Sequence, residues 1–380
     1  MWGTSAADKV VEEVQRGGPR RTTEGGTEKG KEKSTGTLDG ERAGRRMSLN
    51  EANSGGGEHS GGVVGVGDYV RLLRPVQWAK SVFVLIGPAY GYANGDWNPW
   101  LVERGTRLGL QAWVILLLAV IAFSLASSAC YIVNDILDAP ADRHHPRKKN
   151  RPIASGRVSV GGAIGMAALL VALTAGSLLL MGGWRALYTA GIIAVYVLNV
   201  NLYSAILKHI VIADVISLSM GFVLRVLAGC AAVSVTPTTW LLNTTFFLAM
   251  FLAFGKRLGE RRSLGSAGAA AARGVQAGYT DELLRQAVVV TAVVTLMTYA
   301  IYVQSQDAKY MLGFNLMWLT VLPATYAMLR AIVLLERGTF DDPTELASKD
   351  RPFQVGAVVF GLMTLGLMAG RHWHWIGSQT

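Results

Sequence analysis

Residues 127–156 read SSACYIVNDILDAPADRHHPRKKNRPIASG. A long apolar run ends here in acid, and a block of positive charge follows at once. An apolar run of roughly 20 residues spans a bilayer as a helix. Asn134 and Asp138 are four residues apart, so a helix places them on one face, one turn apart. Pro140 predicts a helix end near Ala139, which puts Asp142 in the loop beyond. Carboxylate and amide oxygens at that spacing suit a hard cation such as Mg²⁺, shared with substrate phosphates. The arginines and lysines that follow suit the phosphates themselves. A solvated acidic helix end beside an ordinary basic loop is the plain alternative. It accounts for one aspartate better than for an asparagine and three acids, because ionisable groups at membrane depth are costly and usually functional.

The rest of the chain fits a polytopic membrane protein. Of 380 residues, 51% are apolar, too many for an ordinary soluble domain. The net charge of +10 is unevenly spread. Residues 1–62 hold ten basic and ten acidic residues, leaving 26 basic against 16 acidic for the remainder. The excess sits in short loops between apolar runs, which fits the positive-inside rule and a polyanionic substrate, and no nucleic-acid partner is expected. Cys130 and Cys230 both lie in apolar runs and read as small buried hydrophobes. The six histidines form no metal-ligand pattern.

Residues 1–62 are rich in Gly, Ser, Thr and charge, cannot bury a core, and are expected to be a disordered tail; Met47 offers an alternative start. Residues 63–380 form the membrane domain. Tyr69 to Lys80 reads as a short amphipathic helix. Nine apolar segments follow, at about 81–93, 111–134, 160–181, 186–203, 211–233, 238–255, 284–303, 313–335 and 353–370, an all-α architecture of nine transmembrane helices. Gly87 and Pro88 break the first, which extends back to about residue 76. With nine spans the basic loops after segments 2, 6 and 8 share one side, the cytoplasmic one. The N-terminus is then inside and the chain sits in the plasma membrane.

Two further groups of residues stand out. The first is Tyr203-Ser204-x-x-Leu207-Lys208-His209, followed by Asp214 and by Gly221-Phe222-x-x-Arg225. Lys208 marks a cytoplasmic mouth, while Asp214 and Arg225 lie inside an apolar run and need partners or a water-filled cavity. The second is Gly255-Lys256-Arg257-x-x-Glu260-Arg261-Arg262, placed like the Asn134 cluster at the cytoplasmic end of an even-numbered span. No Ser-His-Asp, Cys-His, P-loop or GxGxxG arrangement is present. A diphosphate can nevertheless leave under attack by an anion with charge placement and Mg²⁺ alone.

The pattern Asn134-Asp135-x-x-Asp138, with nine spans and cytoplasmic loops, resembles the UbiA-type polyprenyl transferase superfamily. Within it, LRPVQWAKS at 73–81, NDILDAPADRHHPRKKNRPIASG at 134–156, YSAILKH at 203–209, GFVLR at 221–225, GKRLGE at 255–260 and ELASKDR at 345–351 resemble the decaprenyl-phosphate phosphoribosyltransferase family. The resemblance covers roughly residues 69–370. It implies a central cavity between nine helices and transfer of ribose 5-phosphate from 5-phosphoribosyl 1-diphosphate to a polyprenyl phosphate, with a product that feeds cell-wall arabinan. Ordinary prenyl transferases carry a second Asp-rich motif after the sixth span; here that place is the basic Gly255–Glu260. Ser81 departs from the Asn expected after the lysine.

On this resemblance Asn134, Asp135 and Asp138 are catalytic, and Asn134, Asp138 and Asp142 hold Mg²⁺. Arg143, Lys148, Arg151 and Lys208 face the donor's phosphates. Lys80, Lys256 and Arg257 face the remaining phosphate, with Tyr203 and Glu260 completing the substrate site. The alternatives are an aromatic prenyltransferase of quinone or haem pathways and a lipid-linked transporter or flippase. Oligomeric state stays open, a homo-oligomer included.

Overall fold

In lipid the backbone must satisfy its own hydrogen bonds, so apolar runs of this length fold as helices. In the computed structural model of the protein, residues 65–94, 97, 112–144, 148–305, 315–337 and 349–372 are described, and every element among them is helical. The expected tail at 1–62 lies outside the described residues.

The helices are α1 (Val66–Leu73), α2 (Phe83–Asn94), α3 (Ala112–Asp142), α4 (Val160–Met181), α5 (Gly183–Ala205), α6 (Ala213–Val233), α7 (Thr239–Ala272), α8 (Asp281–Ser305), α9 (Val321–Glu336) and α10 (Arg351–His372). Among the described residues eight segments are long and apolar enough to cross a membrane, α9 doing so with the 3₁₀ turn Leu316–Thr320 before it. The ninth expected span is composite: a 3₁₀ helix, Pro75–Val82, runs straight into α2. At about 2.0 Å per 3₁₀ residue and 1.5 Å per α residue the pair reaches about 34 Å, enough for a hydrocarbon core of about 30 Å.

Three boundaries differ from the sequence expectation. The amphipathic helix expected over Tyr69–Lys80 breaks at Arg74, which is left-handed (φ 50°, ψ 58°) ahead of Pro75. A residue before proline is pushed out of the α region, and here the Arg74 side chain is held by Asp135 at 2.5 Å and stacks over Tyr131. Second, α3 does not stop near Ala139; it carries through Pro140 to Asp142. Proline removes only its own N–H, the Arg143 N–H still closes the last turn on the Ala139 carbonyl (3.2 Å), and Arg151 holds Asp142 from outside. Third, α7 outruns its apolar segment, which ends near 255, and continues helical past Glu260 to a kink at Gly265 (φ 70°). Hydropathy marked where each apolar run stops, and both helices go on as polar helix.

α6 is the most buried of the spans and packs against α2, α3, α5 and α7. Its contact with α2 is a backbone contact. Pro88 cannot donate to the Val84 carbonyl, and Gly229 of α6 packs on that carbonyl so closely that a Cβ there would lie 1.7 Å from the oxygen. Gly87, on the same side, would put a Cβ 2.1 Å from the Cys230 sulfur. Gly87 and Pro88 thus seat the helix without breaking it. Leucines such as Leu169, Leu179 and Leu198 of α4 and α5, and Leu362 and Leu365 of α10, face outward, as a lipid-facing surface requires. At the start of α10, Asp350 accepts the Phe353 N–H (2.8 Å) and both arms of the Arg330 fork (3.2 and 2.8 Å). The Arg330 guanidinium holds the Asp350 carboxyl below the usual carboxylate range.

Candidate active site

The polar end of α3 presents two different faces. Asp135 and Asp142 are two turns apart and both are buried. Arg151 bridges them, 3.1 Å from Asp135 and 2.6 Å from Asp142, while Arg74 donates to the same Asp135 oxygen as Arg151 and Lys148 lies 4.0 Å from Asp142. These acids fasten the basic loop and the start of the Pro75–Val82 helix onto α3. Asn134 and Asp138, on the neighbouring face, point elsewhere. Asn134 lines a cavity, and Asp138 lies one turn beyond it, half exposed, 3.7 Å from the Lys208 ammonium.

The ligand set expected from the sequence is therefore split. Asn134 and Asp138 share a face, but Asp142 is turned to Arg151 and Lys148, because a buried carboxylate needs paired charge. Among the described residues no group of three His, Cys, Asp or Glu side chains could hold a metal unaided. An amide and one carboxylate still fit Mg²⁺, which usually keeps several waters and is bound by one or two carboxylates plus substrate phosphates. The donor set suits an ion shared with a diphosphate and does not suit a closed protein cage.

The cavity is about 130 Å³, between α3, α5, α6 and the Pro75–Val82 helix, and its polar lining is Lys80, Asn134, Asn199, Tyr203, Ser217 and Arg225 together with Tyr131 and Tyr196. It is small against the roughly 300–1,000 Å³ of typical ligand pockets, so it takes one end of a substrate. Asn199 and Ser217 clamp α5 to α6 by exchanging hydrogen bonds of 2.9 and 3.0 Å. Neither His144 nor His209 lines the cavity, and both are exposed.

The Gly255–Glu260 group behaves differently from the expectation. Arg257 is buried, 2% exposed, and its Nε and Nη2 each donate to one oxygen of the fully buried Asp214 at 3.1 Å. Tyr279 donates to the other oxygen at 2.6 Å, and burial together with that bond pushes its phenol well above its ordinary range. The Tyr279 oxygen also accepts the N–H of Ile212 (2.8 Å), a β-branched residue held at φ 70°. Such a backbone persists only where its surroundings enforce it, and it closes the loop that carries Lys208. Arg257 thus stands behind Lys208 and makes no direct approach to the cavity. Glu260 pairs with Arg273 and Arg257, each at 3.6 Å, and Arg273 donates to Tyr203 at 3.4 Å, which ties this region to the cavity wall. Lys256 is half-buried and is not among the cavity's lining residues; Arg143 is exposed just past α3.

Sequence reasoning singled out Lys80, Asn134, Tyr203 and Lys208 and missed Asn199 and Ser217. The available signal was an amide inside an apolar span, since a buried amide needs a cross-helix partner. For Arg225 the sequence shows only a charge in need of a partner.

Comparison with known proteins agrees with this architecture. The pattern of the UbiA prenyltransferase family matches residues 82–358. The chain is 32% identical over 301 residues to the decaprenyl-phosphate phosphoribosyltransferase of Corynebacterium glutamicum, covering 77% of this chain and 83% of that one. It is 31% identical over 304 residues to the protein of the same name from Mycobacterium tuberculosis, covering 79% and 94%. Among solved structures, a UbiA homologue of Archaeoglobus fulgidus bound to GPP and Mg²⁺ aligns with a TM-score of 0.55 at 17% identity, over 81% of this chain and 98% of that one.

Proposed function

The chain belongs to the UbiA prenyltransferase family, and from that premise we propose that it transfers 5-phosphoribose from 5-phosphoribosyl 1-diphosphate to a polyprenyl phosphate, releasing diphosphate. The observation that carries this reading is the charge of the cavity. Lys80 and Arg225 line it, no carboxylate among the described residues does, and Asp138 stands a turn beyond Asn134. The region where ordinary prenyl transferases keep a second acidic motif is here basic and internally paired through Arg257. Relatives covered over most of their length carry the same named activity.

Asn134 and Asp138 would hold Mg²⁺ on the donor's diphosphate, where the ion neutralises charge on the leaving group. Lys208, beside Asp138, and Arg143, exposed at the end of α3, would take diphosphate oxygens. Lys148 and Arg151, engaged by Asp142 and Asp135, act by shaping the loop. As the C1–O bond to diphosphate breaks, a phosphate oxygen of the lipid forms the new bond at C1 from the opposite side, with inversion. The acceptor is already ionised near neutral pH and surrenders no proton. Among the described residues the cavity lining holds neither histidine nor cysteine. The basic loops support a cytoplasmic position for this end of the bundle, by the positive-inside rule.

The test is purified protein with 5-phosphoribosyl 1-diphosphate, Mg²⁺ and a panel of polyprenyl phosphates, products read by mass. A phosphoribosyl adduct of the lipid phosphate is expected. Its absence, with product only from a prenyl diphosphate and an aromatic acid, would return the protein to the aromatic prenyltransferases.

A further inference from the structure

Among the described residues two arginines are buried in the membrane part of this molecule, and they are treated in opposite ways. Arg257 has a carboxylate, Asp214, on its fork. Arg225, 4% exposed and three turns into α6, has no acidic partner among the described residues. Its Nη1 donates to the Gly221 carbonyl of its own helix (2.8 Å). Its Nη2 donates to the Tyr196 hydroxyl (3.0 Å) and, more weakly, to Ser127 (3.5 Å). Its Nε is buried with no hydrogen-bond partner. The guanidinium lies over the rings of Phe123, Tyr196 and Phe222, at 5.0, 4.8 and 5.7 Å.

Rings and neutral acceptors orient a guanidinium without cancelling its charge. A charge kept at this depth without a counter-ion is costly, and it is retained where a ligand supplies the missing anion. The same side chain lines the small cavity, together with Lys80 and the neutral polar groups of Asn199, Tyr203 and Ser217.

We propose that Arg225 is the receptor for a phosphate group at the inner end of the cavity, so that one of the two phosphates that do not leave in the reaction is bound there, away from the diphosphate at Asn134 and Asp138. The assignment of that phosphate to a substrate rests on the function proposed above; the anion site does not. Phosphate geometry matches the fork, which offers paired N–H groups that a lysine cannot. Two sources carry the same chemistry: the 5-phosphate of the donor and the phosphate of the lipid.

The experiment measures KM for each substrate in wild type, R225Q and R225K. It also measures thermal stabilisation of the detergent-solubilised protein by ribose 5-phosphate, farnesyl phosphate and inorganic phosphate. R225Q is expected to raise KM for one substrate tenfold or more, leave the other within twofold, and lose stabilisation by the matching probe. R225K is expected to follow it, since the charge alone does not restore the fork. A rise confined to 5-phosphoribosyl 1-diphosphate assigns the site to the donor, and one confined to the lipid assigns it to the acceptor. A folded R225Q or R225K with both KM values within twofold of wild type would leave Arg225 a packing residue and overturn the proposal. So would a wild-type protein that none of the three probes stabilises. Probe binding that survives while no phosphoribosyl product forms would remove the reaction and keep the site.

Discussion

Arg257→Ala separates two readings of one basic residue. A residue that binds substrate phosphate would raise KM and leave the fold alone. The structure gives the opposite expectation. Arg257 is 2% exposed and Asp214 0%, and the pair makes two hydrogen bonds of 3.1 Å. Truncation leaves the Asp214 carboxylate buried with the Tyr279 hydroxyl alone. Removing one partner of a buried ion pair costs about 3–5 kcal/mol. At about 2–4 °C per kcal/mol this lowers the unfolding temperature by roughly 6–20 °C. The loop held through Tyr279 and Ile212 loosens as well, so Lys208 loses its fixed place beside Asp138 and kcat falls along with stability. The assay is thermal unfolding in detergent with kinetics on the surviving folded fraction. The double variant Arg257→Met, Asp214→Leu removes both charges and is expected to recover most of the loss, because a buried pair is commonly replaceable by apolar groups. An Arg257→Ala protein that melts within about 2 °C of wild type, against that scale, and shows only a raised KM would refute the argument and make Arg257 a substrate ligand.

Other outcomes follow from the same structure. Asp138→Ala should abolish turnover with little change in unfolding temperature, since the side chain is half exposed, and wild-type activity should vanish in excess chelator; full activity in chelator would remove the metal from the account. Gly229→Ala forces a methyl group against the Val84 carbonyl and should cost about 1–3 kcal/mol as overpacking, read as a lower unfolding temperature; a neutral result would show that α2 and α6 part easily. A chain beginning at residue 63 should insert and turn over normally, as a segment unable to bury a core is dispensable; loss of turnover in a well-inserted protein would give the tail a role.

The sequence exposed most where local signals mark an element at both ends. α4 was expected over 160–181 and is found at Val160–Met181, because Ser159 caps its first turn by accepting the Gly162 N–H and Gly182, at φ 66°, ends it. Hydropathy failed where helices outlive their apolar runs: α3 to Asp142 and α7 past Glu260 continue because buried ion pairs replace apolar packing. The site divides in the same way. Spacing placed Asn134 and Asp138 on one face. It could not say that Asp142, four residues on, is turned to a loop arginine, since that depends on where residue 151 returns. Nor can composition separate Lys256 from Arg257, adjacent cations of which one is buried on Asp214. Arg225 shows the converse. A charge in an apolar run announces a need, and only the fold shows that no acid among the described residues meets it.

In the proposed reaction an anionic lipid phosphate attacks C1 without help from a general base. The direct measurement offers the protein a polyprenol and the matching polyprenyl phosphate in one mixture with 5-phosphoribosyl 1-diphosphate and Mg²⁺, and counts the two products by mass. Product is expected from the phosphate and none from the alcohol, for whose proton the described cavity lining offers no histidine or carboxylate. Equal use of the free alcohol would contradict it.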